Sequence, residues 1–70
     1  ELAKKIAAHE NKKINFIQAL DNIGVRNRRN GKFKTSLRFH MAALSLSDSV
    51  NEPKLKSIIL NNIGVVYRRV

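Results

Sequence analysis

The chain contains no cysteine among its 70 residues. This excludes a disulfide framework and any thiolate metal site, and it leaves the redox compartment undetermined. At about 60 residues a globule buries only roughly 60% of the surface that its unfolded chain exposes. We therefore expect at most one domain, with a core that is marginal by itself.

Long hydrophobic runs are missing as well. No apolar stretch approaches the roughly 18 to 20 residues of a membrane span, and no signal-peptide pattern is present. The chain begins with Glu1 rather than methionine, and we expect it to be a piece of a larger protein. Its location stays open between the cytoplasm, which we favour, and the periplasm, which would apply to a membrane-bound sensor.

Residue constellations for catalysis or metal binding are also missing. The two histidines, His9 and His40, lie 31 residues apart without neighbouring ligand residues, so no metal site is predicted. The acids form no pair on one helical face for acid/base chemistry, the serines have no obvious base, and the glycines form no phosphate loop. We predict no enzyme activity and no cofactor, and we interpret His40 as a partly buried packing residue.

Positive charge is abundant, with 14 Lys and Arg against 5 Asp and Glu and a formal net charge of +9. Such an excess favours acidic partners, whether protein segments, nucleic acid or an anionic membrane surface. The alternative is an excerpt that happens to be basic, because net charge governs association and solubility rather than fold.

One motif occurs twice. The letters "LDNIGVRNRR" occupy positions 20 to 29 and "LNNIGVVYRR" positions 60 to 69, an offset of 40 residues. Comparison of Ala19–Asn30 with Ile59–Val70 gives seven identities, where chance would give about one, which indicates an internal repeat.

Apolar spacings of three and four predict helices at about 12–30, 32–48 and 53–70, after a shorter helical stretch in Glu1–His9. Asn30-Gly31 supplies a helix end, and Asn51-Glu52-Pro53 supplies a helix start. Short connections make neighbouring helices antiparallel. The predicted fold is all-α, an array of antiparallel helix hairpins.

Gly24 and Gly64 recur at the same place in the two copies. A glycine inside a helix costs about 1 kcal/mol relative to alanine, so we expect another helix to pack closely against each. Ser36 and Ala43 are suitable small partners for such a contact.

These residues resemble the tetratricopeptide repeat, a pair of antiparallel helices stacked into a superhelix. The family pattern falls on Leu20 and Gly24 in the first helix, on Ala43 and Leu44 in the second, and on Gly64 in the next unit. Residues 1–10 would then be the tail of a preceding repeat, 12–50 one complete helix pair, and 53–70 the first helix of the next repeat. Asn27 stands where the family usually has tyrosine, Ser36 where it has alanine, and no proline closes the second helix.

The 40-residue period resembles the long variety found in kinesin light chains, bacterial sensor histidine kinases and transcriptional regulators. The resemblance implies a non-catalytic module that binds a protein or peptide partner, in the sensory or regulatory region of a bacterial signalling protein. In that family, exposed positions of the first helices line the concave, ligand-binding side. In this sequence the equivalent exposed positions include Gln18, Asp21, Val25, Ile58 and Val65. The candidate binding residues among these positions are Asn22, Arg28, Arg29, Asn61, Asn62, Arg68 and Arg69.

The chemistry of these residues suits a peptide, because an Asn amide both donates to and accepts from backbone and Arg binds acidic groups. The alternative is that the Asn residues bond only within the repeat and the Arg residues are solvated.

Two further hypotheses compete with peptide binding. The basic residues around the Asn30-Gly31 turn could contact phosphates as a helical nucleic-acid-binding domain, although stacking aromatics are lacking. Uncapped end helices could also drive self-association.

Overall fold

The computed structural model describes residues 2–70, with the side chains of residues 2, 3 and 6 left out of the description. Within that range the chain forms three α-helices and no strand: α1 over Leu2–Arg29, α2 over Phe33–Ser47 and α3 over Pro53–Arg69. The predicted all-α class is confirmed. The last residues predicted for the three main helices lie one residue beyond the observed helix ends. No helix of this part of the chain is both long and apolar enough to cross a membrane.

Helix α1 differs from the prediction at its start. A separate stretch in Glu1–His9 and a break before residue 12 were expected, but α1 continues through this region from Leu2; Glu1 lies outside the described residues. The physical reason is the lack of a breaker. Forty residues later, Pro53 begins a helix, whereas the equivalent position here is Lys13, which favours helix continuation.

The turn between α1 and α2 is closed by Gly31. This residue has a φ of +78°, and its N–H donates to the carbonyl of Arg28 at 3.0 Å. The N–H of Lys32 donates to the carbonyl of Asn27 at 2.8 Å. These two bonds form a Schellman motif, which satisfies carbonyls that the helix end would otherwise leave unpaired. The predicted role of Asn30-Gly31 as a helix end is confirmed.

The link between α2 and α3 is tied to α1. The backbone N–H of Asn51 donates to Oε1 of Glu10 at 2.9 Å. Pro53 lies in the first turn of α3, as predicted, where its missing N–H needs no partner. Glu52, not Asn51, occupies the cap position, and no side chain caps this helix. The link is therefore fixed by proline and by Glu10 rather than by an Asn cap.

The helix directions follow from which residues meet. Ser36 of α2 bonds Gly24 of α1 and His40 bonds Asp21, so numbers fall along α1 as they rise along α2, and the two helices are antiparallel. Bonds that join α1 to the chain around α3 connect residues 41 apart, as Asp21 and Asn62 show. Helices α1 and α3 are therefore parallel, and the two copies of the repeated motif lie side by side.

The core is small and lies between the three helices. It contains one isoleucine of α1, one alanine of α2, a valine of the link and three apolar residues of α3, namely Ile17, Ala43, Val50, Leu55, Ile59 and Ile63. Partly buried side chains of Ile14, Leu20, Leu37 and Leu44 pack around it. A core of this size leaves the fold dependent on polar contacts as well.

Replacement of Gly31 by Ala should lower the free energy of unfolding by about 1–2 kcal/mol, because an L residue is strained at positive φ. No atom lies within 4 Å of a Cβ built there, so the cost is conformational rather than steric. Gly31→Asn is the matched control and should cost less, since Asn tolerates this conformation. Urea unfolding followed by circular dichroism measures both variants, and equal losses would contradict this account.

Candidate partner-binding surface

Helices α1 and α2 approach closely at Gly24. A Cβ built on this residue would lie 2.6 Å from Cε1 and 2.8 Å from Nδ1 and Nε2 of His40. The imidazole ring therefore occupies the space that any larger residue at position 24 would need. This confirms that α2 packs against Gly24 and identifies the His40 ring, rather than Ala43, as the group in closest contact.

Ser36 adds a polar contact at the same crossing. Its Oγ donates to the carbonyl of Gly24 at 2.6 Å, and the serine is fully buried. Because this acceptor is a backbone carbonyl of α1, the hydroxyl has a hydrogen-bond partner without a second buried polar side chain. A small side chain fits this crossing, and the carbonyl supplies the partner that a buried hydroxyl needs.

The Asp21 carboxylate joins all three helices. Its Oδ1 lies 2.6 Å from Nδ1 of His40 on α2, and its Oδ2 accepts from Nδ2 of Asn62 on α3 at 2.7 Å. An ionised carboxylate can only accept hydrogen bonds, so Nδ1 of His40 donates to it. Hydrogen bonds to a charged group are worth roughly 1.5–3 kcal/mol, which is large for a core of this size.

Two predictions about this cluster need correction. His40 was expected to be a partly buried packing residue, but it is 0% exposed and makes a polar bond to Asp21. Asp21 was placed among the exposed positions of the concave side, but it is only 4% exposed. The reason is that Gly24, one turn later on the same face of α1, brings the His40 ring within reach of the carboxylate.

The second nitrogen of His40 is buried without a partner: Nε2 makes no hydrogen bond to the described residues. A buried unsatisfied group costs about 1–3 kcal/mol. This cost offsets part of the bond to Asp21. We therefore expect the cluster to specify how α1, α2 and α3 fit together more than it adds net stability.

A groove runs between α1 and α3 beside this cluster. Its volume is about 240 Å³, and Gln18, Asp21, Asn22, Leu55 and Ile58 line it; we call it the α1–α3 groove. Asn22 is exposed, so its amide is accessible to a ligand. The groove offers one apolar wall and amide groups that both donate and accept.

An arginine cleft lies at the end of α1 and α3. Arg28 and Arg29 from α1 and Arg69 from α3 line a space of about 560 Å³, together with Gly31 and Phe33. The parallel register of α1 and α3 brings these three candidate residues together, although 40 or more residues separate Arg69 from the other two in the chain. Each guanidinium group can bind a carboxylate or a phosphate through two parallel hydrogen bonds.

The remaining candidate residues are distributed differently. Asn62 is half-buried and its amide nitrogen is already bonded to Asp21, so this Asn bonds within the fold. Asn61 and Arg68 are exposed on α3 and line neither the α1–α3 groove nor the arginine cleft. The structure thus places Asn22 in the α1–α3 groove, gathers Arg28, Arg29 and Arg69 in the arginine cleft, and uses Asn62 to join α3 to α1.

The described residues contain no group of three or more His, Cys, Asp or Glu side chains that could hold a metal ion. Comparisons of the chain with protein-family models, with curated proteins and with solved structures found no match.

The two repeated glycines have different surroundings. The ring of His40 covers Gly24, whereas no atom of the described residues lies within 4 Å of a Cβ built on Gly64. On the same side of α3, Leu60 and Tyr67 remain exposed. The expectation that a helix packs closely against each glycine is therefore right for Gly24 and wrong for Gly64 in this chain.

This difference predicts opposite effects for the same substitution. Gly24→Ala should destabilise the fold, because overpacking costs about 1–3 kcal/mol and the ring cannot move away without breaking its bond to Asp21. Gly64→Ala should raise the free energy of unfolding by up to about 1 kcal/mol through helix propensity alone. Urea unfolding of both variants at matched protein concentration measures the two effects. A similar gain in stability from both would show that His40 does not pack on Gly24.

Proposed function

We propose that this chain is a tetratricopeptide-like, non-catalytic module that binds a protein or peptide partner, as part of the sensory or regulatory region of a larger bacterial signalling protein. The bound segment would lie along the α1–α3 groove and reach the arginine cleft. Asn22 would contact its backbone from the groove, while Arg28, Arg29 and Arg69 would bind its acidic groups in the cleft.

The observation that carries this proposal is the register of α1 and α3. Contacts between these parts of the chain join residues 41 apart, and the sequence repeats with an offset of 40 residues. This parallel register, close to the offset of the sequence repeat, supports an array of stacked helix pairs, in which equivalent helices lie side by side. In such an array, equivalent residues of successive units would form one continuous surface.

The departures from the family pattern have local explanations that fit this proposal. Ser36 replaces the usual alanine, and its hydroxyl bonds the carbonyl of Gly24. Asn27 replaces the usual tyrosine, and its amide donates to the carbonyl of Ile23 in its own helix at 2.8 Å. Both side chains are satisfied inside the helix pair, so neither substitution opposes the packing of α1 on α2.

A basic nucleic-acid-binding domain is the second candidate. It is favoured by the Arg and Lys residues around the α1–α2 turn, namely Arg26, Arg28, Arg29, Lys32 and Lys34, which adjoin the arginine cleft. Binding of this kind would work through phosphate contacts spread over these residues and would weaken steeply with salt.

Selection from a random peptide display library against the full chain, at about 0.15 M salt where exposed charges are largely screened beyond roughly 8 Å, tests the first candidate. We expect selected peptides to bind in solution and to shift the amide signals of the groove in nuclear magnetic resonance spectra. Asn22→Ala should weaken their binding by about 3- to 10-fold, the value of one neutral hydrogen bond.

Asn15→Ala is the matched control, since Asn15 is also exposed on α1 but does not line the groove. Equal losses from both variants would contradict binding in the groove. Failure to select any peptide, with tight binding of duplex DNA that falls steeply as salt rises, would favour the second candidate instead.

A further inference from the structure

One end of the molecule carries only positive charge. This end, which we call the basic end, comprises residues 24–38 and 64–70, where α1 and α3 finish and α2 begins. It contains no Asp or Glu, and its eight Arg and Lys residues are Arg26, Arg28, Arg29, Lys32, Lys34, Arg38, Arg68 and Arg69. The acids of the described residues lie elsewhere, and Asp21 is buried against His40.

The arginine cleft concentrates this charge without an internal counter-charge. Within the described residues Asp21 is paired with His40 and Asp48 with Lys56, and no carboxylate is paired with Arg28, Arg29 or Arg69. Three like charges around one space of about 560 Å³ repel one another and attract an anion. Favourable interaction with the helix C-termini accounts for single arginines in a last turn, but it does not require three to line one cleft.

An apolar groove adjoins the arginine cleft. Phe33, Leu37, Val66, Tyr67 and Val70 line it together with Gly31 and Lys34, and its volume is about 380 Å³. Gly31 and Phe33 line both spaces, so the two lie side by side at the basic end. Tyr67 is 62% exposed and leaves the groove open to a side chain from outside.

We infer that the basic end binds a phosphorylated peptide segment in which an apolar side chain lies close to the phosphorylated residue. The phosphate lies in the arginine cleft, and the apolar side chain lies against Phe33 and Tyr67. This inference rests on the proposed function, because it names the chemistry of the partner at the end of the same surface.

A phosphate ester matches the cleft better than a single carboxylate does. A phosphorylated serine carries about −1.5 to −2 charges at pH 7 and three acceptor oxygens. It can therefore bond to several guanidinium groups at once, whereas one carboxylate neutralises only one of the three arginine charges. The adjoining groove adds apolar burial, which distinguishes a particular peptide from any polyanion.

Four synthetic peptides that differ at two positions test the inference with the full chain, by fluorescence anisotropy at about 0.15 M salt. They contain phosphoserine-leucine, glutamate-leucine, serine-leucine and phosphoserine-glycine in an otherwise identical glycine-rich sequence. We expect phosphoserine-leucine to bind about 10- to 100-fold more tightly than serine-leucine, as charge-assisted bonds predict. Glutamate-leucine and phosphoserine-glycine should fall between these two.

Arg69→Gln should remove most of the preference for phosphate, and Arg38→Gln is its matched control. Both remove one positive charge from an exposed residue of the basic end, but Arg38 lines neither space. Equal losses from the two variants would show diffuse electrostatics and overturn the inference. Equal binding of the phosphoserine-leucine and glutamate-leucine peptides would also overturn the inference. In that case, peptides selected for binding to the α1–α3 groove would still support the proposed function.

Discussion

The arrangement of the three helices depends on the hydrogen bonds that the Asp21 carboxylate accepts. It accepts from Nδ1 of His40 on α2 and from the amide of Asn62 on α3, so one side chain of α1 fixes the positions of both other helices. The apolar core is small, and a core that is merely hydrophobic and of the right volume loses a unique packing arrangement before it loses stability. Buried polar groups that find partners in one arrangement only are a means of selecting it, and Gly24 makes that arrangement sterically accessible.

The surface features follow from this register. Because Asn62 meets Asp21, α3 runs parallel to α1 with its C-terminal arginine beside those of α1, and Arg28, Arg29 and Arg69 share one cleft. A shift of α3 by one helical turn would separate these groups by about 5 Å and would also break the bond to Asp21. The position of the candidate binding residues on the surface therefore depends on the polar cluster inside the molecule.

Local signals predicted the all-α class and the three helices, and contacts between helices were harder to predict. The apolar periodicity, Gly31 and Pro53 predict three helices and their turns, because each signal acts within a few residues. The continuous α1 was missed because the repeat suggests a break near residue 12, while Lys13 lacks the helix-starting effect of Pro53. The Asp21–His40–Asn62 cluster was missed because each polar residue, taken alone, is typical of a solvated position. A signal was nevertheless present: in a hairpin that turns at Asn30-Gly31, antiparallel pairing places residue 21 opposite residue 40.

The most direct test of this account is a nuclear Overhauser spectrum of the chain in solution, with attention to the ring protons of His40. Their position over Gly24 predicts a strong cross-peak between Hε1 of His40 and an α-proton of Gly24, together with cross-peaks between the side-chain amide protons of Asn62 and the β-protons of Asp21. Both sets in a folded chain would establish that Asp21, His40 and Asn62 meet in the register described. A helical, cooperatively folded chain without the His40–Gly24 cross-peak would contradict it.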